Sequence, residues 1–225
     1  MKKIIKISCF LVLGLIIISC NPDDNSVIQT DEFIFNINSG NKWVYKHYNS
    51  PNDSGPFTFT GAIDSIEIVG TEVIQGYTFA IKNTRKFHGN QLSQNDYSYL
   101  RVNSLGHLVQ ITDIENIGLI SDTTGFVLHP GIDANYTYNY DVNGDPNIGN
   151  VEFHLGSPIT INIEEEQYLV SPFLGLFTPS ENSPQLVSKT VGEYYASNIG
   201  MIKGITKLVV GDITSEYRLV SYEVN

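Results

Sequence analysis

Cysteine is nearly absent from this chain. Its 225 residues include only two, Cys9 and Cys20, and both lie within the first twenty positions. The rest of the sequence therefore offers no thiol for a disulfide, a cysteine metal site or a cysteine nucleophile. We expect the folded part to be stabilised by a buried apolar core, which a chain of this length can form.

Basic residues and familiar catalytic signatures are also scarce. The 13 Lys and Arg residues face 24 Asp and Glu residues, which gives a formal net charge of −11. A surface this acidic repels nucleic acid, so we expect no nucleic-acid partner. The sequence contains no Gly-x-Ser-x-Gly elbow, no His-Glu-x-x-His pair and no glycine-rich phosphate loop. We therefore expect a protein that is not an enzyme and has no resident cofactor.

The first nineteen residues have the layout of a lipoprotein signal. Three lysines lie within the first six residues, and an apolar run over residues 7–18 follows. That run is short for a transmembrane helix and is followed by polar residues. Residues 17–20, Ile-Ile-Ser-Cys, resemble the lipobox of bacterial lipoproteins. The resemblance implies cleavage after residue 19 and a diacylglycerol on Cys20, with a further acyl chain such as palmitate on the new amino terminus.

The signal divides the chain into three parts. Residues 1–19 are the predicted signal peptide, residues 20–31 the lipidated start and a polar, flexible tether, and residues 32–225 a single domain. The lipid on Cys20 would place the protein in the cell envelope, with the membrane as its partner. Asp23-Asp24 resembles the acidic signal of surface-exposed Bacteroidota lipoproteins, which suggests the outer membrane and exposure at its surface.

From Phe33 onward, apolar and polar residues alternate with the period of a β-strand. The alternation is clear over residues 33–37, 43–45, 63–69, 77–81, 97–102 and 108–111, and again nearer the C-terminus. It predicts an all-β fold: an antiparallel meander of about ten strands forming a strongly curved sheet, a half-barrel or a barrel. Any helix is expected to be short, near residues 174–181 or in a loop.

Glycines mark the expected irregularities. Gly70 interrupts a long strand pattern and predicts a β-bulge, and Gln75-Gly76 predicts a tight hairpin turn. Gly106 supplies the positive φ of a second hairpin. His107 follows that glycine, and His129 precedes Pro130-Gly131, so both histidines are predicted to be exposed in loops.

Two short motifs resemble those of a known group of proteins. Asn41-Lys42-Trp43-Val44-Tyr45 resembles the start, with its W-x-Y pattern, of small β-rich envelope lipoproteins of Bacteroidota. Residues 193–203 resemble their Y-Y-A-x-x-x-G-x-[IV]-K signature. The resemblance implies an envelope lipoprotein from a mostly uncharacterised group, and it brings no catalytic residues with it.

One segment has the spacing of a calcium loop. In residues 141–152, oxygen-bearing side chains fall at loop positions that include Asp141, Asn143, Asp145 and Glu152. Ca²⁺ binds six to eight oxygens from one flexible turn, so these four residues are the candidate metal ligands. Pro146 opposes this interpretation, because proline cannot adopt the positive φ that the helix-flanked loop needs at that position. A polar hairpin loop without an ion is the alternative.

The leading hypothesis is a non-enzymatic envelope lipoprotein that acts as a binding or structural module. One alternative is a carbohydrate- or small-ligand-binding protein that uses the stripe of Tyr136, Tyr138 and Tyr140 or the apolar run of residues 173–177. Another is a hydrolase assembled from dispersed Asp, Glu and His residues. The identity of any protein or glycan partner is left open by the sequence.

The lipidation hypothesis makes a direct prediction. Replacement of Cys20 by alanine removes the only thiol at the lipobox, so fatty-acid labelling should be lost and the protein should leave the membrane fraction. Metabolic labelling with a clickable fatty acid, followed by fractionation, measures both effects. Undiminished labelling of the Cys20→Ala protein would refute the assignment.

Overall fold

The computed structural model describes residues 33–52, 55–208 and 211–225. The predicted signal peptide, Cys20 and the tether of residues 20–31 lie outside these described residues. Within the described ranges, no helix is long and apolar enough to cross a membrane.

The described chain consists of antiparallel β-strands and one 3₁₀ turn at Val142–Gly144. The strands are β1 (Lys42–Ser50), β2 (Thr58–Ile74), β3 (Tyr77–His88), β4 (Gln91–Val102), β5 (Leu108–Ile111), β6 (Phe126–His129), β7 (Thr137–Asp141), β8 (Gly149–Leu155), β9 (Ile159–Ile163), β10 (Glu166–Pro179), β11 (Lys189–Ala196), β12 (Gly200–Lys207) and β13 (Thr214–Glu223).

All thirteen strands belong to one sheet. Its order is β6-β5-β4-β3-β2-β1-β13-β12-β11-β10-β8-β7, and β9 pairs with β10 outside this path. The pairing of β1 with β13 joins the N-terminal half of the sheet to the C-terminal half. The sheet is curved but does not close into a barrel, since the path ends at β6 and β7. The predicted all-β antiparallel meander is thus confirmed, with more strands than expected.

Curvature brings the two halves together around a shared core. The main cluster joins Ile68 and Leu100 from the N-terminal half to Tyr195, Ile202 and Leu219 from the C-terminal half. We call the side of the sheet that carries these residues the inner face. Burial of aromatic and branched side chains on one face explains the alternating pattern seen in the sequence.

The turns follow the sequence pattern closely. Gln75 and Gly76 have φ values of 49° and 86° at the β2–β3 hairpin, and Gly106 has a φ of 78° between β4 and β5. The register between β2 and β3 shifts between Ile68 and Gly70, so the predicted bulge is confirmed. These features depend on a few neighbouring residues, which is why the sequence predicts them well.

One strand prediction was wrong, and of the two places expected for a short helix, residues 174–181 or a loop, only a loop contains one, the 3₁₀ turn at Val142–Gly144. Residues 33–37 form no strand, and residues 174–179 are not helical but belong to strand β10. The backbone of β10 is hydrogen-bonded to β8 on one side and to β11 on the other, which only an extended chain can satisfy. The side chains of residues 33–37 instead pack over one end of the inner face.

Segment 33–41 packs against both halves of the molecule. The Phe33 ring stacks on His129 with a centroid distance of 4.9 Å, and Phe35 meets the Tyr195 ring at 6.4 Å. The Ile34 backbone N–H donates to Ser197 Oγ at 3.0 Å. Asn41 is fully buried. The segment therefore covers one end of the inner face and packs against the main core cluster.

His129 and His107 are buried, which corrects the prediction that they lie exposed in loops. His129 has 0% exposure and His107 has 2%. The Gly131 backbone N–H donates to His129 Nδ1, and His129 Nε2 lies 3.1 Å from the Ser171 carbonyl oxygen, to which it donates. This contact joins β6 to β10, two strands that do not pair. Such long-range packing leaves no mark on the local sequence.

The environment of His129 predicts a pH-dependent stability. Burial lowers its pKa from 6.5 to about 4, although the hydrogen bond to Ser171 partly opposes that effect. The unfolded chain therefore takes up a proton at a higher pH than the folded chain does. The stability that the neutral His129 side chain allows is fully present above pH 6.5 and is lost as the pH falls towards 4. For a pKa shift of this size, the free energy of unfolding falls by up to about 3 kcal/mol.

We expect His129→Gln to lose this part of the pH dependence of the free energy of unfolding, measured by urea titration between pH 7 and pH 4. His154→Gln is the matched control, because the His154 side chain is 54% exposed. An unaltered pH profile in the His129→Gln protein would contradict the prediction.

Candidate ligand-binding cavity

Strand register places five residues in one row across the sheet. Phe173 on β10 lies opposite Glu193 on β11, which lies opposite Gly204 on β12. Gly204 in turn lies opposite Tyr217 on β13, which is paired with His47 on β1. Directly opposed residues share a face of the sheet, so this row lies on the inner face.

Gly204 allows Tyr217 to reach Glu193 across β12. A Cβ atom at position 204 would lie 1.9 Å from Cζ of Tyr217, so the tyrosine ring occupies the space above the glycine. The Tyr217 hydroxyl thereby reaches β11 and donates to Glu193 Oε1 at 2.8 Å. The Tyr195 hydroxyl donates to Glu193 Oε2 at 2.7 Å. The two oxygens of one carboxylate thus each accept a hydrogen bond from a phenol.

Burial and charge keep these phenols protonated. Burial raises the pKa of Tyr195, Tyr217 and Tyr45 well above the ordinary value, and the negative charge of Glu193 raises each of them further. The hydroxyls of Tyr195 and Tyr217 therefore remain donors to Glu193 at physiological pH. The Tyr45 hydroxyl donates to the Met201 carbonyl oxygen at 2.9 Å.

Lys82, His47 and Asp64 add further polar groups to the inner face. Lys82 Nζ donates to Gln110 Oε1. Burial lowers the pKa of Lys82, and the negative charge of Glu193 partly offsets this. His47 Nε2 lies 3.0 Å from Asp64 Oδ2. The inner face thus carries a polar band next to its apolar core.

A cavity of about 240 Å³ opens beside this band. Glu193 and Tyr217 line it together with the aromatic residues Phe126, Tyr140, Phe153 and Phe173. Tyr140 stacks on Phe153 with a centroid distance of 6.2 Å, and Phe153 meets Phe173 at 5.2 Å. The cavity therefore combines aromatic walls with two charged residues, Glu193 and Lys207, and aromatic walls with a few polar groups are typical of small-molecule sites.

Of the predicted tyrosine stripe, only Tyr140 lines the cavity, and Tyr136 and Tyr138 contact other aromatic rings of its wall. Tyr140 lines the cavity, and Tyr138 meets the Phe126 ring at 5.3 Å across the gap between β6 and β7. Tyr136 packs against Phe173 at 6.0 Å. The apolar run of residues 173–177 is divided, because Phe173 faces the cavity while Leu176 is half exposed.

The four candidate calcium ligands lie around the β7–β8 connection. Asp141 ends β7, and Asn143 lies in the 3₁₀ turn with a φ of 55°. Asp145 Oδ1 accepts the Asn147 backbone N–H at 2.9 Å, and Glu152 lies 3.2 Å from His154. No group of three or more His, Cys, Asp or Glu side chains in the described ranges has the arrangement of a metal site. Calcium binding by these residues stays a prediction.

Sequence reasoning missed the central groups of the cavity. Glu193 was visible only as the residue before the Tyr194-Tyr195 pair, and Tyr217 only as part of a strand. The one available signal was Gly204, a glycine inside a strand, which often marks a site where another group approaches closely.

Comparisons with known proteins identify a shared fold. No protein-family model matches the sequence, and the search of curated proteins found no match. A protein of Bacteroides fragilis, described as exported and as having a YmcC-like fold, is similar with a TM-score of 0.50 and 12% identity over 85% of this chain and 99% of that chain. A protein of Parabacteroides distasonis described as a lipoprotein has a TM-score of 0.44 and 10% identity over the same shares.

The row that holds Glu193 can be tested through Gly204. In Gly204→Ala the new methyl group clashes with the Tyr217 ring, so the ring must leave its place and the free energy of unfolding should fall by about 1–3 kcal/mol. Urea unfolding measures this loss. Gly70→Ala is the matched control: Gly70 is also in a strand, but a Cβ there meets nothing within 4 Å. Equal effects of the two substitutions would contradict the proposed packing.

Proposed function

We propose that this protein is a non-enzymatic lipoprotein of the cell envelope that binds a small ligand in the inner-face cavity. The observation that carries the proposal is the aromatic wall around a carboxylate held by two phenols. Cavities that bind small molecules commonly pair apolar or aromatic walls with a few fixed polar groups that orient the ligand.

The proposed location rests mainly on the start of the chain. The charged, apolar and lipobox parts of residues 1–20 support lipidation at Cys20, and Asp23-Asp24 supports the outer membrane and its surface. The Bacteroides fragilis protein that shares the fold is described as exported, which agrees with an envelope location. The membrane, reached through the lipid, is then the partner of the anchor, while the cavity serves a separate ligand.

The aromatic wall favours a ligand with a flat apolar face. Tyr140, Phe153 and Phe173 form a continuous series of ring contacts along one side of the cavity. Sugar rings present such faces and carry hydroxyl groups at their edges. A carboxylate can accept hydrogen bonds from these hydroxyl groups. A carbohydrate, or a ligand built on a sugar ring, therefore suits this cavity.

A hydrolase is the rival interpretation, and its support is the pair of His47 and Asp64. We favour a binding role because the carboxylate of the cavity is fixed in place by neighbouring side chains. Both oxygens of Glu193 accept tyrosine hydroxyls, and Lys82 donates to Gln110. A carboxylate held in this way orients a ligand well, and His47 and Asp64, the pair that would supply acid–base chemistry, do not line the cavity.

The proposal predicts a localised loss of affinity. In Tyr140→Ala one stacking surface of the cavity disappears, so affinity should fall about three- to tenfold. We would titrate the full-length lipidated protein in detergent with a panel of soluble oligosaccharides and measure binding by calorimetry. Tyr222→Ala is the matched control, because Tyr222 is 38% exposed, Tyr140 is 40% exposed, and only Tyr140 lines the cavity.

Two results would count against the proposal. One is equal loss of affinity in the Tyr140→Ala and Tyr222→Ala proteins, since binding would then lie elsewhere. The other is release of reducing ends from any oligosaccharide of the panel during incubation, which would favour the hydrolase.

A further inference from the structure

We propose that the cavity recognises its ligand through a protonated amino group that binds to Glu193. This inference rests on the proposed binding function and adds the chemical class of the ligand: an amine-bearing molecule, such as an amino sugar with a free amine, in preference to a neutral or acidic one.

Glu193 differs from the carboxylates Asp64 and Asp96 of the inner face, because no basic side chain among the described residues forms an ion pair with it. Asp64 lies 3.0 Å from His47, and Asp96 lies 3.8 Å from Lys86. Glu193 accepts hydrogen bonds from two neutral phenols and forms no salt bridge with a lysine, arginine or histidine in the described parts of the chain. A carboxylate at a cavity wall without a cation is a natural partner for a cationic ligand.

Lys82 does not fill this role. Its charge and that of Glu193 influence each other, but the Lys82 amine donates to the Gln110 side chain. Lys207 also lines the cavity, but it lies three residues beyond Gly204 on β12, which is about 10 Å along the strand at 3.3–3.4 Å per residue. The Cα atom of Lys207 is therefore displaced along the strand from Gly204, the residue opposite Glu193.

The carboxylate retains capacity for further hydrogen bonds. An ionised carboxylate can accept about four hydrogen bonds, and the two tyrosines supply two of them. An ammonium group carries three donors and can use the remaining positions. Its contact would be charge-assisted and therefore stronger than that of a neutral hydroxyl.

The aromatic rings of the cavity favour the same ligand class. Ring faces carry negative electrostatic potential, and Phe153, Phe173 and Tyr217 all line the cavity beside Glu193. The net charge of −11 adds a long-range attraction for cations and a repulsion for anions. The local carboxylate, the rings and the overall field thus select a positive charge together.

The test compares two probes that differ only at the amine. We would titrate the full-length lipidated protein with the disaccharide of glucosamine and with its N-acetylated counterpart, in weakly acidic buffer that keeps the free amine protonated. We expect the amine to bind at least about tenfold more tightly, because acetylation removes the charge while preserving the sugar rings.

A substitution then assigns the preference to one residue. Glu193→Gln keeps the shape and removes the charge, so it should abolish the preference for the free amine. Glu216→Gln is the matched control: Glu216 is also a buried carboxylate, but it is paired with Arg218 and Lys203 instead of lining the cavity. The Glu216→Gln protein should retain the preference.

The outcomes separate this inference from the proposed function. Binding of both disaccharides with equal affinity, or an unchanged preference in Glu193→Gln, would overturn amine recognition and leave a ligand-binding cavity. Insensitivity of all oligosaccharide binding to Tyr140→Ala would instead overturn the cavity as the site. If the Glu193→Gln protein does not fold, the comparison of the two disaccharides on the unsubstituted protein still tests the inference. Equal affinity for both disaccharides would refute it.

Discussion

The pairing of β1 with β13 is the interaction on which the rest of the structure depends. It joins the two halves of the sheet in the middle of the strand order, so the free edges lie far away at β6 and β7. Trp43 and Tyr45 extend from β1 across β13 and donate to carbonyl oxygens of Ile199 and Met201 at the start of β12. The pairing of β11 with β12 and of β12 with β13 then aligns Glu193, Gly204 and Tyr217 in one row.

Curvature of the sheet increases the buried apolar area and leaves a cavity beside its free edges. A flat sheet of this size would expose its apolar face, while the curved sheet lets its two halves bury each other. Because the sheet does not close, the burial is incomplete beside β6 and β7, and the aromatic-walled cavity lies in that region. The polar band next to it costs desolvation energy, which the hydrogen bonds between tyrosines and Glu193 offset.

Sequence reasoning succeeded where a few neighbouring residues decide the outcome. Gln75-Gly76 and Gly106 adopt the predicted turns, because positive φ is a local requirement. It failed at residues 174–179 and at His129, because long-range neighbours decide both. Strand β10 is fixed by β8 and β11, and His129 is enclosed by rings from segment 33–41 and by Ser171. Of the cavity, the stripe of tyrosines was visible beforehand, while Glu193 was not.

The sequence by itself determined the class of fold, because alternation with period two, β-branched residues and turn glycines are read directly from neighbouring positions. It also supports the prediction of a lipoprotein signal in residues 1–20 and gives the acidic charge balance. Only the tertiary structure decided which residues share the cavity. Glu193, Gly204 and Tyr217 are separated in sequence and meet through backbone hydrogen bonds between strands, which carry no side-chain signature. A site formed by strand register therefore becomes visible only once the sheet is assembled.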